Sequence, residues 1–135
     1  MHLNLSVFEQ VKKSGAEILV VTKYFDKDST QDILHQIENK KCVLGVGENR
    51  TDTLEKKLLP REKVHFIGRI QSRKIPDIVQ YASTVHSLDH WKHAEKLNEW
   101  VRAKESVSLS MGVFLQVNIS GEPQKGGVKI SDFSV

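Results

Sequence analysis

The chain has 135 residues, of which 39% are hydrophobic and 27% are charged, and its formal net charge is +3. This length fits one ordinary globular domain with its own core, so we expect a single domain over residues 1–135. No apolar run is long enough for a membrane-spanning helix or for the core of a signal peptide. We therefore expect a cytoplasmic protein without a membrane partner.

The charge and the cysteine content exclude further classes of protein. A net charge of +3 is too small to indicate a nucleic-acid partner. The basic segment REKVHFIGRIQSRK, residues 61–74, has no stacking aromatic residue besides Phe66, so we interpret it as a solvated or phosphate-facing rim. The single cysteine, Cys42, excludes an intramolecular disulfide, and its place before an apolar run predicts a small buried residue at the start of a strand.

Helix-like and strand-like segments alternate along the chain with short connections. In chain order, the apolar patterns predict a helix at 6–14, a strand at 18–23, a helix at 29–40, a strand at 42–47, a helix at 50–59, a strand at 64–68, a helix at 70–82, a strand at 84–88, a helix at 90–104 and a strand at 113–119. Pro76 predicts a kink or a late start of the fourth helix. This alternation requires parallel strands with right-handed crossovers, hence an open doubly wound sheet or part of a (β/α) barrel.

The first predicted strand runs without polar alternation through Thr22 and ends in Lys23, the pattern of a strand that is covered on both faces. A buried ammonium is costly unless it is paired or neutralised, and such lysines suit Schiff-base chemistry. A solvated lysine at a strand end is the alternative. Polar residues also end the other strands, in GVGEN, HFIGRIQ, HSLD and QVNIS, at the edge where parallel α/β folds bind ligands.

Alternation assigns faces within two of the strands. In the fifth strand one face carries Val113, Leu115, Val117 and Ile119, and the other carries Phe114, Gln116 and Asn118. We expect the aliphatic face to meet helices and the other face to point into the lumen of a barrel. In the second strand Gly45, Gly47 and Asn49 share a face, and the two glycines are expected to leave space for something flat beside Lys23.

The ordered segments ILVVTK, GVGENR, VHFIGRIQSRK, VHSLD and LQVNISGEPQKGG resemble the pyridoxal phosphate homeostasis proteins, the YggS-like or PROSC-like family related to the barrel domain of alanine racemase. The resemblance extends from residue 17 to residue 127. It implies an α/β fold of the parallel (β/α) TIM-barrel type, incomplete, with about five of the eight strands. It also implies that the cofactor pyridoxal 5'-phosphate is held as an aldimine on Lys23.

Two further positions are assigned to cofactor binding, and no catalytic residue is assigned. Asn49 is expected near the cofactor, the alternative being a cap of the helix that starts near Arg50. Gly68 fits a close backbone approach, although a turn glycine gives the same pattern. Arg50 and Arg73 stand where the family commonly has an aromatic residue and an asparagine.

Family members are full barrels, whereas this chain stops at KISDFSV, which we interpret as the first turn of the helix after strand five, with Ser131 as its cap. Three β/α units are then missing, together with the loops that form the family's phosphate site. Such a chain is expected to self-associate or to need a chain that supplies the missing units.

Other polar residues receive structural interpretations. Glu48 is expected to order its loop or to pair with a basic residue, and His65 to be a hydrogen-bonded barrel histidine. His86, His90, His93 and Asp89 are not expected to converge on a metal. GVGEN lacks the later glycine of a dinucleotide fingerprint, which argues against nucleotide binding.

Three functions remain open. The first is a non-enzymatic carrier in vitamin B6 homeostasis, the second a pyridoxal phosphate enzyme such as an amino-acid racemase, and the third a fragment that binds no cofactor alone. A racemase needs an acid or base on each face of the cofactor. Alternation turns Tyr24 away from Lys23, and Tyr81 lies on a predicted helix, so the carrier is favoured.

Overall fold

The computed structural model describes residues 3–104 and 110–132. Its sheet contains β1 (Ile18–Val21), β2 (Val43–Glu48), β3 (Val64–Phe66), β4 (Thr84–Leu88) and β5 (Gly112–Leu115). The strands lie side by side in chain order, and every neighbouring pair is parallel. A doubly wound sheet reverses its strand order at a switch point, whereas this order continues in one direction, as in a barrel. The prediction of an incomplete parallel (β/α) barrel is therefore confirmed.

The described residues also form the predicted helices, in most cases within three residues of the expected bounds. They are α1 (Leu5–Ser14), α2 (Lys27–Ile37), α3 (Thr51–Lys57), α4 (Ile75–Tyr81) and α5 (Trp91–Ala103), with short 3-10 helices at Arg61–Lys63, Ser72–Lys74 and Ile130–Asp132. Helix α4 starts late, as predicted, with Pro76 in its first turn, where a missing N–H breaks no helical hydrogen bond. Within the part of the chain that the structure describes, no helix is both long enough and apolar enough to cross a bilayer.

Local chemistry fixes the ends of the first two helices. Gly15 ends α1 in the left-handed conformation, with φ at 73°, which glycine adopts without a steric penalty. The side chain of Asp26 accepts a hydrogen bond of 2.8 Å from the backbone N–H of Ser29 at the start of α2. Hydrogen bonding to Ser29 holds the pKa of Asp26 below its ordinary value, as expected for a carboxylate at a helix N-terminus.

The hydrophobic core lies between the helices and one face of the sheet. Its fully buried members include Ile33, Val46, Leu54, Val64, Ile75, Ile78, Val79 and Val85. Val46, Val64 and Val85 are the strand residues among them, one each from β2, β3 and β4, and because side chains alternate along a strand their chain neighbours point to the other face. The other face of the sheet is the side that would line a barrel lumen.

The predicted fifth strand is interrupted at Gln116. The chain leaves β5 and forms β6 (Val117–Asn118), which pairs in parallel with β7 (Val128–Lys129). At the break, the Gln116 N–H donates to the carbonyl oxygen of Leu88 at 2.7 Å, and the Gln116 carbonyl accepts from the Val128 N–H at 2.9 Å. The single strand expected over 113–119 is therefore wrong, because the backbone changes partner at this residue. The helix expected near Ser131 falls on the 3-10 helix and on residues 133–135, which lie outside the described residues.

Strands β1 and β5 are the edges of the sheet, and β5 is poorly covered. Val113, Phe114 and Leu115 are 45%, 55% and 49% exposed. Val113 borders α5, as expected for the aliphatic face, but nearly half of its surface remains in contact with solvent. An exposed apolar strand at a sheet edge is a template for pairing with another chain.

We predict that the 135-residue polypeptide self-associates through this edge. In sedimentation velocity, Leu115→Lys should shift the protein toward the monomer, because a charge at a strand edge opposes pairing. Val7→Lys is the matched control, since Val7 is 45% exposed, close to the 49% of Leu115, but lies on α1. A monodisperse wild-type monomer with cooperative thermal unfolding would contradict the prediction.

Candidate functional site

Lys23 lies just beyond β1, at the edge where the parallel strands end. The strand stops at Val21, two residues earlier than expected, and the chain turns as the Phe25 N–H donates to the carbonyl oxygen of Thr22 at 2.9 Å. The Thr22 N–H still donates to the carbonyl oxygen of Gly47 at 3.1 Å, so the backbone before Lys23 remains tied to β2. The lysine side chain is half-buried.

Tyr24 does not turn away from Lys23. The lysine Nζ lies 4.9 Å from the centroid of the Tyr24 ring, within the range of a cation–π contact. The expectation from strand alternation is wrong here because the turn after Val21 replaces extended backbone. The tyrosine side chain is 87% exposed.

Gly45 and Gly47 do not leave an open space beside Lys23. A Cβ at Gly47 would lie 3.2 Å from Leu19 Cδ2 and 3.3 Å from Ile67 Cδ1, so these two side chains already occupy that volume. At Gly45, where φ is 150°, a Cβ would lie 2.2 Å from the carbonyl oxygen of Lys63. The glycines allow close packing within the sheet, and the expectation of a flat ligand space at these positions is wrong.

A buried ion pair fixes the end of β1 from the helix side. Lys57 Nζ lies 2.6 Å from Glu48 Oε1, and the two side chains are 4% and 0% exposed. Lys57 Nζ also donates to the carbonyl oxygen of Thr22 at 2.9 Å, while Thr22 Oγ1 donates to Glu48 Oε1 at 2.5 Å. The expectation that Glu48 pairs with a basic residue is confirmed. The network holds the residue that precedes Lys23 at both its backbone and its side chain.

Removing one partner of this pair should destabilise the fold strongly. Lys57→Met leaves the Glu48 carboxylate buried without its cation, which typically costs about 3 to 5 kcal/mol of unfolding free energy. The double variant Lys57→Met, Glu48→Leu should recover most of the loss, because apolar residues of similar volume often replace a buried ion pair without penalty. Urea unfolding measures both effects.

The control for this experiment is Arg50→Gln, which breaks an exposed ion pair with Asp52 at 2.7 Å. An exposed pair contributes little to stability. A midpoint of urea unfolding for Lys57→Met equal to that of Arg50→Gln would contradict the structural role of the buried pair.

Gly68 and Asn49 meet at the ends of β3 and β2. A Cβ at Gly68 would lie 2.1 Å from the carbonyl oxygen of Asn49, so only glycine allows this close approach of the two backbones. The helix-cap alternative for Asn49 is not supported, since Arg50 occupies the N-cap of α3 and makes no capping hydrogen bond with its side chain. The cofactor-binding roles of Asn49 and Gly68 stay predictions.

Two histidines and a phenylalanine form a row on the open face of the sheet. His65 Nδ1 and His86 Nε2 are 2.8 Å apart and share a hydrogen bond, and the ring of His86 stacks on Phe114 with centroids 4.6 Å apart. His65 is therefore the hydrogen-bonded barrel histidine that was expected. Phe114 lies on the lumen side of β5, as alternation predicted. Desolvation, with a further contribution from His86, lowers the pKa of His65, and desolvation lowers the pKa of His86.

This histidine pair predicts a loss of stability in mild acid. Both folded-state pKa values lie below the ordinary value of 6.5, so the unfolded chain binds more protons once the pH falls under that value. Stability should be complete above pH 6.5 and should decline as the pH drops toward the folded-state pKa values. The midpoint of urea unfolding between pH 7.5 and pH 5 measures this decline.

The variant His65→Gln, His86→Gln should reduce that decline. His35→Gln is the control, because the His35 side chain is 85% exposed. A decline that is unchanged in the double variant would show that other groups cause it.

His90 and His93 follow β4, at the rim of the sheet. His93 Nδ1 is 3.5 Å from Asp89 Oδ1, a separation that allows an ion pair when the imidazole is protonated but is not a good hydrogen bond. His90 instead begins α5, where its Nδ1 accepts from the Lys92 N–H at 3.1 Å. Over residues 3–104 and 110–132, no group of three or more histidine, cysteine or acidic side chains is placed to hold a metal.

Comparisons of sequence relate the chain to curated proteins. No family model matches it. It is 32% identical over 130 residues to the pyridoxal phosphate homeostasis protein of Corynebacterium glutamicum, an alignment that covers 88% of this chain and 54% of that protein. It is 39% identical over 87 residues to the protein of the same name in Schizosaccharomyces pombe, covering 61% of this chain and 35% of the relative. In the alignments that match most of this chain, the chain spans about half the length of the curated relative.

Solved structures show the same fold. PipY of Synechococcus elongatus, solved without pyridoxal phosphate, matches with a TM-score of 0.73 and 22% identity over 96% of this chain and 60% of PipY. The structure of PipY with pyridoxal phosphate bound matches with a TM-score of 0.69 and 22% identity, over 92% of this chain and 58% of PipY. At this level of identity the likeness supports the barrel type of fold.

Proposed function

Because this chain is a homologue of the pyridoxal phosphate homeostasis proteins over about half their length, we propose that it binds pyridoxal 5'-phosphate through Lys23. We further propose that it serves in cofactor homeostasis as a carrier and not as an enzyme. When bound, the cofactor supplies an aldehyde that reacts with a primary amine and a ring that acts as an electron sink.

The observation that supports Lys23 as the attachment point is its free amine at the carboxyl end of β1. Its Nζ contacts the Tyr24 ring, and it makes no ion pair or hydrogen bond with another described side chain. Attachment of an aldehyde there therefore breaks no ion pair. Lys57, in contrast, is committed to Glu48 and to Thr22, so the two lysines near this end of the sheet have different roles.

The contact of Tyr24 with Lys23 favours one alternative, a racemase-like enzyme. Racemisation requires a proton donor or acceptor on each face of the cofactor. Tyr24 adjoins Lys23 in sequence and contacts its amine with the ring, and its side chain is 87% exposed, which does not supply a group on the opposite face. We therefore prefer the carrier.

Reductive labelling tests the proposed attachment. After incubation with pyridoxal 5'-phosphate and borohydride, the modified peptide should carry its adduct on Lys23, and Lys23→Ala should lose the label. Lys27→Ala is the control, since Lys27 is an exposed lysine in the first turn of α2. Equal labelling of the surface lysines would leave no case for a site.

A second assay separates the carrier from the enzyme. Exchange of the α-proton of alanine in deuterated water, with the cofactor present, should not exceed that of Lys23→Ala. Exchange that depends on both Lys23 and Tyr24 would favour the racemase-like alternative.

A further inference from the structure

A second polar site lies at the ends of β2 and β3, and neither Lys23 nor its contact residue Tyr24 lines it. It is a cavity of about 240 Å³ whose lining contains four cationic side chains, Arg50, Arg69, Arg73 and Lys74, and one anionic side chain, Asp52. Pockets for drug-sized ligands typically measure roughly 300 to 1,000 Å³, so this one suits a small group. The lining has an excess of positive charge.

Two of these four cations are already partnered. Arg50 donates to Asp52 through both Nε and Nη2, at 3.1 Å and 2.7 Å, which neutralises the acid of the cavity. Lys74 Nζ lies 3.5 Å from Asp77 Oδ2. Among residues 3–104 and 110–132, Arg69 and Arg73 make no ion pair. The cavity therefore holds two guanidinium groups whose charge no described carboxylate compensates.

The backbone that carries these arginines is held in place. The Ile67 N–H donates to the carbonyl oxygen of Glu48, and the Lys74 N–H donates to that of Gln71, each at 2.8 Å. Phe66, on the cavity wall, is only 2% exposed, and Gly68 packs against the backbone of Asn49. A ligand would thus meet a fixed backbone, and only the exposed side chains of Arg69 and Arg73 would have to be ordered.

From this arrangement we propose that the cavity binds the phosphate group of a small molecule. A guanidinium presents a planar fork of N–H donors that matches the oxygens of a phosphate, and these charge-assisted hydrogen bonds are stronger than neutral ones. The amide side chains of Asn49 and Gln71, also in the lining, add further donors. The proposal does not rest on the proposed function, because Lys23 is absent from the lining of this cavity.

Titration with inorganic phosphate tests the site, followed by amide chemical shifts at constant ionic strength. Wild type should bind saturably, and Arg69→Gln, Arg73→Gln should bind roughly tenfold or more weakly, as expected for the loss of hydrogen bonds to a charged group. Lys12→Gln, Lys13→Gln is the matched control, because it removes the same charge from exposed positions on α1. Arg69→Lys, Arg73→Lys keeps the charge without the fork and should bind with intermediate affinity.

Two further experiments identify the molecule that supplies the phosphate group. They also distinguish this proposal from the proposed attachment of pyridoxal 5'-phosphate to Lys23. Phosphate binding should persist in Lys23→Ala, even if that variant takes up no cofactor. If saturating phosphate suppresses labelling of Lys23 by pyridoxal 5'-phosphate, the cavity holds the phosphate of that cofactor; unchanged labelling assigns it to a separate phosphate ester. No saturable binding by wild type, or an equal loss in the Lys12, Lys13 control, would overturn the proposal.

Discussion

The buried pair of Glu48 and Lys57 is the interaction on which the geometry of the strand ends depends. Neither charge tolerates burial alone, so the pair links β2 to the last turn of α3 and, through Thr22, to the end of β1. One Glu48 carboxylate oxygen has no hydrogen-bond partner among the described residues, which makes the pairing with Lys57 more critical. Lys23 follows Thr22 directly. Its backbone position is thus set by residues that have no direct contact with its own amine.

The two faces of the sheet differ because, within residues 3–104 and 110–132, helices pack on only one of them. Val46, Val64 and Val85 point at the helices and are fully buried. On the opposite face, His65 and His86 satisfy one nitrogen each by bonding to one another, and Phe114 covers His86 while remaining 55% exposed. This face combines two imidazoles that bond to each other with apolar surface that is exposed.

Much of the fold could be predicted from the chain, because apolar runs and helical spacing are local signals. The alternation of elements, the late start at Pro76 and the strand end near Lys23 all depend on residues that are close in sequence. The break at Gln116 depends on pairing with Val128, twelve positions further on, and a run of β-forming residues gives no sign of it. The prediction of a continuous strand failed for that reason.

The candidate site, like the fold, could be predicted where the signal is local and not where it depends on long-range contacts. The pairing of Glu48 could be expected, since a carboxylate in a buried strand needs a partner. The identity of Lys57 could not, because it follows Lys56 at the end of a short helix, where lysines are usually solvated. Tyr24 was misplaced because alternation was extended past the true end of β1. Sequence patterns identified the residues at the rim, whereas long-range contacts decide which of them meet.

Contacts within the protein continue across the rim from β2 to β4. Asn49 packs on Gly68, and the carbonyl oxygen of Gly68 accepts a hydrogen bond of 2.5 Å from Ser87 Oγ. Together with the network at Thr22, these contacts fix the ends of four neighbouring strands. Binding at this edge therefore has to order side chains more than backbone, and the cost for a long side chain such as that of Lys23 is at most about 2 kcal/mol. Hydrogen bonds to a charged group, typically about 1.5 to 3 kcal/mol each, are large enough to offset that cost, which is the energetic basis of the phosphate binding proposed for Arg69 and Arg73.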